Sequence, residues 1–581
     1  VMVANWQSAR LWADFSQAET EALTSPARPI VLAHKSARAQ TAFAYVADDL
    51  NEIGLMIAYT PVHLLLFHAL VGAPNGPEWL DEESEAALVM TSANPSGEPL
   101  VIDNREAVER LQNIADVILT HNRDIICRCD DSVVRVIDDR ARLVRRARGY
   151  TPLSVKTACD MTGIAGMGAA LKATAAVGRA NEVFVTAHIG DTKNLASCHA
   201  LKEAFEHLCD ILQTEPARAV ACDLHPDFYS SRLAQEIARE KAIALFEVQH
   251  HHAHTMAVAA EYGLTGDVYG LSLDGVGLGT DNLAWGCEVL HCQEDGTFAR
   301  LGHLENMPLP GGDAAAREPW RMGVAAALMC ERQANAAALW PQRPTAALMK
   351  LAANPRLTTR TSSAGRLFDA VAAITGLIEV QSDEAQAAML LEAAAGPFTS
   401  QSALWLGDLS DLWRLVPEDD MTVLSLRPLL TRLIELRESK ASAVSYTHLR
   451  AHETDSYLVR SRVPPLPARA ATPGRRSREF RAVRRRAPAP DSPKAITTRK
   501  GQRTMCLAVP AQIVSIEGTK ARAQMSGVEK EIDVTLTPEV VPGDWVVVHV
   551  GYALQRIDPE KAQETLNAMQ AVSDPAAAAV A

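Results

Sequence analysis

Aromatic residues make up only 5% of this 581-residue chain, so Ala, Leu and Val must fill most of a 48% apolar content. No run of about twenty apolar residues occurs, which excludes a membrane-spanning helix. The start lacks a basic stretch followed by an apolar one, the mark of a secretory leader. Cysteine is thin and scattered, ten residues with no tight even framework, and the expected compartment is a reducing, cytoplasmic one. Cys127-Arg128-Cys129 is too closely spaced for a normal zinc knuckle. Positive charge is also in deficit: a net charge of −13 argues against a nucleic-acid or membrane-surface binder. A chain of this length has room for three or four domains.

What is present is chemistry in two runs. Gln249-His250-His251-His252-Ala253-His254 follows an apolar strand-like segment, Ile243 to Val248, and precedes a helix-like one, Thr255 to Glu261. His250 and His254 are four residues apart, so on a helix they share one face and can hold one metal ion. Leu271 to Asp281 then reads as an apolar strand ending in Asp274, followed by a turn containing Gly275, Gly277 and Gly279. Such a turn exposes backbone N–H groups to phosphate. A lone histidine more often packs or faces solvent, but the two runs together favour a metal-and-nucleotide site.

Alternation of short apolar strands and helices predicts an α/β fold class. Over residues 1–155 strands are expected at Ile30 to Ala33, Leu88 to Thr91, Val117 to Thr120, Ser132 to Ile137 and Leu143 to Arg146, with a helix at Glu106 to Ala115. Over 160–440 the series is a strand Val183 to His188, a helix Leu195 to Leu212, a strand Ala219 to Asp223 and a helix Ser230 to Lys241. Ligand sites in such parallel units lie beyond the carboxyl ends of the strands. From Met505 onward, strands at Ala508 to Ile516, Lys520 to Met525, Glu529 to Val534 and Asp544 to His549, then a helix Pro559 to Gln570, predict a small OB-like β-barrel with one helix over 505–575.

Between them, 442–504 opens Val444-Ser445-Tyr446-Thr447-His448-Leu449-Arg450 and then becomes an Arg/Ala/Pro run. The first part looks like translated sequencing-adapter DNA and the rest like GC-rich DNA in the wrong frame. This stretch is expected to be a disordered linker. Two further segments leave alternatives open. The loop with Thr91, Ser92, Asn94 and Ser96 suits a phosphate, or is an ordinary polar turn. Arg145, Arg146 and Arg148 would clamp an anion, or solvate a strand edge.

These residues carry a family resemblance. Ser25 to Val31, Tyr59-Thr60-Pro61-Val62-His63, the Thr91 to Gly97 loop and Arg145 to Pro152 resemble the YrdC family. Gly190-Asp191, Asp223-Leu224-His225-Pro226-Asp227, the histidine run and the Asp274 segment resemble the TsaD-like, actin-like (ASKHA) ATPases. In this order, and with Pro308 to Arg321 and Ser362 to Ala370, they resemble the HypF carbamoyltransferases of NiFe-hydrogenase maturation. Met505-Cys506-Leu507-Ala508-Val509-Pro510 and His549-Val550-Gly551-Tyr552-Ala553 resemble the HypC family.

The resemblance implies ATP and carbamoyl phosphate as substrates, Mg and a divalent iron or zinc ion at His250 and His254, and iron at Cys506 and His549. It implies catalytic roles for Asp274, Lys172 and His251. Nucleotide contacts would come from Thr91, Ser92, Asn94, Ser96, Arg145, Arg148, Gly275, Gly277 and Gly279. Implied partners are HypE, whose C-terminal cysteine receives the carbamoyl group, HypD and the hydrogenase large-subunit precursor; nucleic acid and membrane are not among them. Against the family pattern, the first part of the YrdC-like domain and the C-terminal lobe of the TsaD-like domain are missing, so weak turnover is expected. Rival expectations are a tRNA threonylcarbamoyladenosine-type transferase and a catalytically dead fusion serving only as a HypC-like scaffold.

Overall fold

The computed structural model describes residues 1–396, 409–439, 483–486 and most of 509–562. Contacts divide the chain into two compact units. One holds 1–272 and 289–300; the other holds 273–288, 301–439 and the barrel that follows. No helix among the described residues is long and apolar enough to cross a membrane.

The first unit contains two sheets. One runs Ala87–Leu88, Met2–Val3, Glu52–Ile57, Ile30–Lys35, Val133–Ile137, Arg140–Arg145, with Ala13–Asp14 beside Ile30–Lys35. Trp12, Leu23, Val31, Ile53, Leu55 and Val134 close its core. The expected strand at Val117 to Thr120 is absent. Its apolar residues Val117 and Leu119 are exposed, so no neighbour supplies the hydrogen bonds and burial that strand pairing needs.

The second sheet runs Val483–Arg486, Ala244–Val248, Ala219–Asp223, Ile164–Met167, Ala175–Arg179, Glu182–Val185, Ser154–Lys156. Helices Leu195–Leu212 and Tyr229–Glu240 pack on it through Leu201, Phe205, Leu208, Leu233 and Ile237. Ala219–Asp223 and Ala244–Val248 are parallel, with Asp223 opposite Val248. Both strands therefore end on the same edge, and the residues that follow leave from one place. Four residues of the expected disordered linker, Val483–Arg486, instead form an antiparallel edge strand on Ala244–Val248. An edge strand offers an unsatisfied row of N–H and C=O groups that any extended segment can pair with, whatever its side chains.

In the second unit, helices Pro319–Met329, Ala364–Thr375 and Arg427–Glu438 surround a core of Trp320, Met322, Ile374, Leu430, Leu433 and Ile434. A sheet in the order Met307–Pro308, Arg360–Thr361, Ala284–Cys292, Phe298–Leu304, Met421–Ser425, Arg414–Glu418 lies with them, and Val268–Leu278 pairs with Ala284–Cys292. The C-terminal strands Val509–Glu517, Lys520–Met525, Val528–Asp533, Tyr552–Ile557 and Trp545–His549 close into a barrel. Ala511, Ile513, Ala523, Ile532, Val546 and Val548 fill it. The fifth strand, Tyr552–Ile557, was not among the expected elements. Cys506, most of the expected Pro559 to Gln570 helix and the remainder of 442–504 lie outside the described residues.

Candidate functional site

The histidine run begins a helix, His250–Glu261, rather than preceding one. Gln249 caps it, its Oε1 accepting from His252 N at 2.9 Å. His250 and His254 sit one turn apart with their Nε2 atoms 3.2 Å from each other. His250 Nδ1 lies 2.6 Å from Asp223 Oδ2, the carboxylate at the end of the neighbouring strand. The other two imidazoles turn inward. His251 is fully buried with Nδ1 3.1 Å from Gln249 Nε2. His252 stacks on Phe298 at 5.0 Å, and burial holds its pKa below the usual value, leaving a neutral, packed ring. The i, i+4 pair is thus separated from its neighbours by helix geometry alone.

Lys172 occupies the turn between Ile164–Met167 and Ala175–Arg179 in a left-handed conformation (φ 49°). Its backbone N–H donates to Asp191 Oδ1 at 3.1 Å, and Lys193 pairs with Asp191 Oδ2 at 2.7 Å.

In the second unit, the expected glycine-rich turn after Asp274 is a strand. Val268–Leu278 runs straight through Gly275 and Gly277, and none of Gly275, Gly277 or Gly279 has positive φ. The turn comes later, where Asn282 adopts φ 64° and Gly279 N bonds Leu283 O at 2.9 Å. The close approach to this segment restricts the facing helix rather than Gly275. A Cβ on Gly365, in the first turn of helix Ala364–Thr375, would stand 3.2 Å from Gly275 Cα. Ser363 caps that helix and donates from Oγ to Gly275 O at 2.6 Å. Asp274 Oδ1 accepts from Gly275 N at 2.6 Å. In the first unit, His250 and His254 are the candidate metal-holding side chains. Two imidazole nitrogens on one helix face suit iron or zinc.

In the first domain, Arg145 and Arg148 each make an ion pair within the protein, and Arg148 is held by further bonds. Arg145 pairs with Asp130 at 2.7 Å. Arg148 bonds Asp131, Ala27 O at 2.9 Å and Arg28 O at 2.7 Å, and stacks 3.5 Å from the Tyr59 ring. Tyr59 Oη donates to Asp131 Oδ1 at 3.1 Å, and burial, followed by the Asp131 charge, pushes its pKa up to about 12. The Thr91, Ser92 and Ser96 side chains are exposed on their loop. Asn94 braces it from inside, donating to Pro95 O and Glu98 O. The loop is fastened to the next domain by Asn194, whose Nδ2 donates to Gly97 O at 2.7 Å while its Oδ1 caps helix Leu195–Leu212 at Ser197 N.

The two stretches Pro308 to Arg321 and Ser362 to Ala370 meet around Asp369. Gln381 Nε2 bonds both Ala316 O and Asp369, and Arg366 lies 2.5 Å from Asp369. Burial raises the Asp369 pKa to about 6, outweighing the opposing pull of Arg366. The folded state then holds this proton more tightly than the unfolded chain, whose carboxyl titrates near 3.8. The contribution of this group to stability should fall by about 3 kcal/mol in all as pH rises from about 3 to about 7, through the folded pKa. Urea unfolding across that range tests this: Asp369→Asn should flatten the slope, and an unchanged slope would contradict it.

Comparison with known proteins agrees with this layout. Residues 160–261 match the family model described as HypF Kae1-like domain, and 270–459 match Carbamoyltransferase, Kae1-like Domain, second subdomain. Residues 1–147 match the model described as Telomere recombination, and 505–569 the HupF/HypC family. A Cupriavidus necator protein, Carbamoyltransferase HypF homolog, is 43% identical over 286 residues, 48% of this chain and 70% of that one. The chain belongs to the HypF carbamoyltransferase family.

Its C-terminal segment is a HypC-family domain, 48% identical over 63 residues to Hydrogenase maturation factor HypC of C. necator (11% of this chain, 70% of that one). Carbamoyltransferase HypF2 of C. necator is 47% identical over 405 residues, 69% of this chain and 50% of the relative. The chain spans about half the length of the curated HypF relatives it matches. A solved HypF, described as full-length in the phosphate- and nucleotide-bound form, superposes with a TM-score of 0.66 at 30% identity, covering 78% of this chain and 68% of that one.

Two features were not legible as site residues beforehand. Asp223 was visible only as part of a stretch, and Asp131 was not singled out. The usable signal for Asp223 is an acid at the carboxyl end of a parallel strand. His549 lies in the barrel strand Trp545–His549.

Proposed function

We propose that this HypF-family chain transfers a carbamoyl group from carbamoyl phosphate, by way of carbamoyl-adenylate, to the C-terminal cysteine thiol of HypE in the cytoplasm. The observation that carries the reading is the His250–His254 pair, held on one helix face with Nε2 atoms 3.2 Å apart in a chain of this family. ATP binds at the exposed Thr91, Ser92 and Ser96 loop in the first domain, with Asn94 keeping its shape. In the Kae1-like domain Lys172 and the Asp274 segment orient the phosphates. His250 and His254 would hold one divalent ion, which supplies Lewis-acid polarisation when bound. His251 supports the pair from behind.

In the transfer step the thiolate sulfur bonds to the carbamoyl carbon, and the carbon–oxygen bond to AMP breaks. AMP leaves with the electron pair, and the thiol proton goes to a base in the cleft. A reactive acyl-adenylate hydrolyses in water, so direct passage between fastened domains favours transfer over loss. The Gly97–Asn194 hydrogen bond supports that reading by tying the first loop to the second domain. In the HypC-family segment Cys506 and His549 serve an iron centre shared with HypD on its way to the hydrogenase large-subunit precursor, on a barrel of the OB-like kind. That segment argues against tRNA modification.

An assay with ATP, carbamoyl phosphate, Mg and HypE tests the reading. His250→Ala with His254→Ala should lower carbamoyl transfer by about 100-fold, the scale of a lost transition-state electrostatic contact. Transfer unaltered by the double change would remove the histidine pair from the mechanism. No transfer by the parent chain would leave it a HypC-like scaffold.

A further inference from the structure

The geometry points to Asp223 as the positioning residue that fixes which nitrogen of His250 serves as the metal donor. This inference rests on the metal reading of the histidine pair. Asp223 ends the strand Ala219–Asp223, and its side chain is 6% exposed. Each of its two oxygens has one partner: Oδ1 accepts from His225 N at 2.8 Å, and Oδ2 lies 2.6 Å from His250 Nδ1. A carboxylate only accepts, so His250 carries a proton on Nδ1, and the neutral ring that binds metal then presents Nε2. Nε2 is also the atom facing His254 at 3.2 Å. The arrangement is a carboxylate–histidine–metal relay, in which an outer carboxylate sets tautomer and ring orientation. The parallel register that puts Asp223 opposite Val248 makes it possible, because the helix starts two residues later.

Asparagine cannot replace this residue despite its equal size. It has one acceptor where two donors, His225 N–H and His250 Nδ1–H, require one each. Keeping the His225 bond turns the amide NH₂ toward His250 and drives the imidazole proton to Nε2, where it blocks metal.

Two measurements on the full chain test this. Cobalt(II) titration by visible absorption should show Asp223→Asn binding 10- to 100-fold more weakly than the parent, the usual loss for an outer-sphere partner. Nitrogen-15 spectra of the metal-free parent should show His250 with its proton on Nδ1, a readout independent of whether any variant folds. Parent spectra showing the proton on Nε2 would overturn the inference. So would Asp223→Asn binding cobalt within twofold of the parent while His250→Ala with His254→Ala loses it; the metal reading would then stand alone. Cobalt bound equally well by the double variant would instead remove the metal reading, and this inference with it.

Discussion

Replacing Gly286 with valine is expected to destabilise the second unit by about 3 kcal/mol or more, lowering its melting temperature by about 6–12 °C. A Cβ there would stand 2.6 Å from Ser363 Cα and 2.8 Å from Asp274 O. Both are backbone atoms, so no side-chain rotation relieves the clash. Relief requires the Ser363 cap, and the helix Ala364–Thr375 that it starts, to back away from the Asp274 strand. That would stretch the Ser363 Oγ bond to Gly275 O. Calorimetry of the full chain reads the effect, and a transition within about 1 °C of the parent would refute it. Gly275→Ala is the contrasting change: its added Cβ would meet nothing within 4 Å, so stability should hold.

Arg148→Ala should cost about 2–4 kcal/mol in stability of the first domain, because it strands Asp131 and two backbone carbonyls that the guanidinium satisfies. The planar fork serves Asp131, Ala27 O and Arg28 O together while its face covers Tyr59. An ammonium cannot match that geometry, so Arg148→Lys should recover only a minor part. Urea midpoints of both variants decide between structure and ligand binding. An arginine that clamps a nucleotide would lose affinity on truncation and leave the midpoint where it was, which would contradict the role described here.

Much of the fold could be read before the coordinates. The helix Leu195–Leu212 and the strands Ala219–Asp223 and Lys520–Met525 have the expected boundaries. Each is a periodic apolar run stopped by a clear terminator, such as Asn194 at the helix start. The failures share a cause: they depend on residues far away in the chain. The Gly275–Gly279 run looks like a turn locally, yet Gly275 to Leu278 is strand because it pairs with Ala284–Cys292. Arg145 and Arg148 look available until the fold brings Asp130 and Asp131 beside them across a hairpin. Within the site, the i, i+4 spacing located His250 and His254, because helical geometry is local. Asp223 stayed hidden 27 positions upstream, since only parallel strand pairing reveals that neighbour.

Asn194 is asked to do two jobs with one amide, closing the first turn of its helix and gripping Gly97 across the domain boundary. Swinging that side chain away from either partner releases the other. Deuterium uptake at the Ser197 amide should therefore report when the two domains part, giving the molecule a built-in hinge sensor that needs no label.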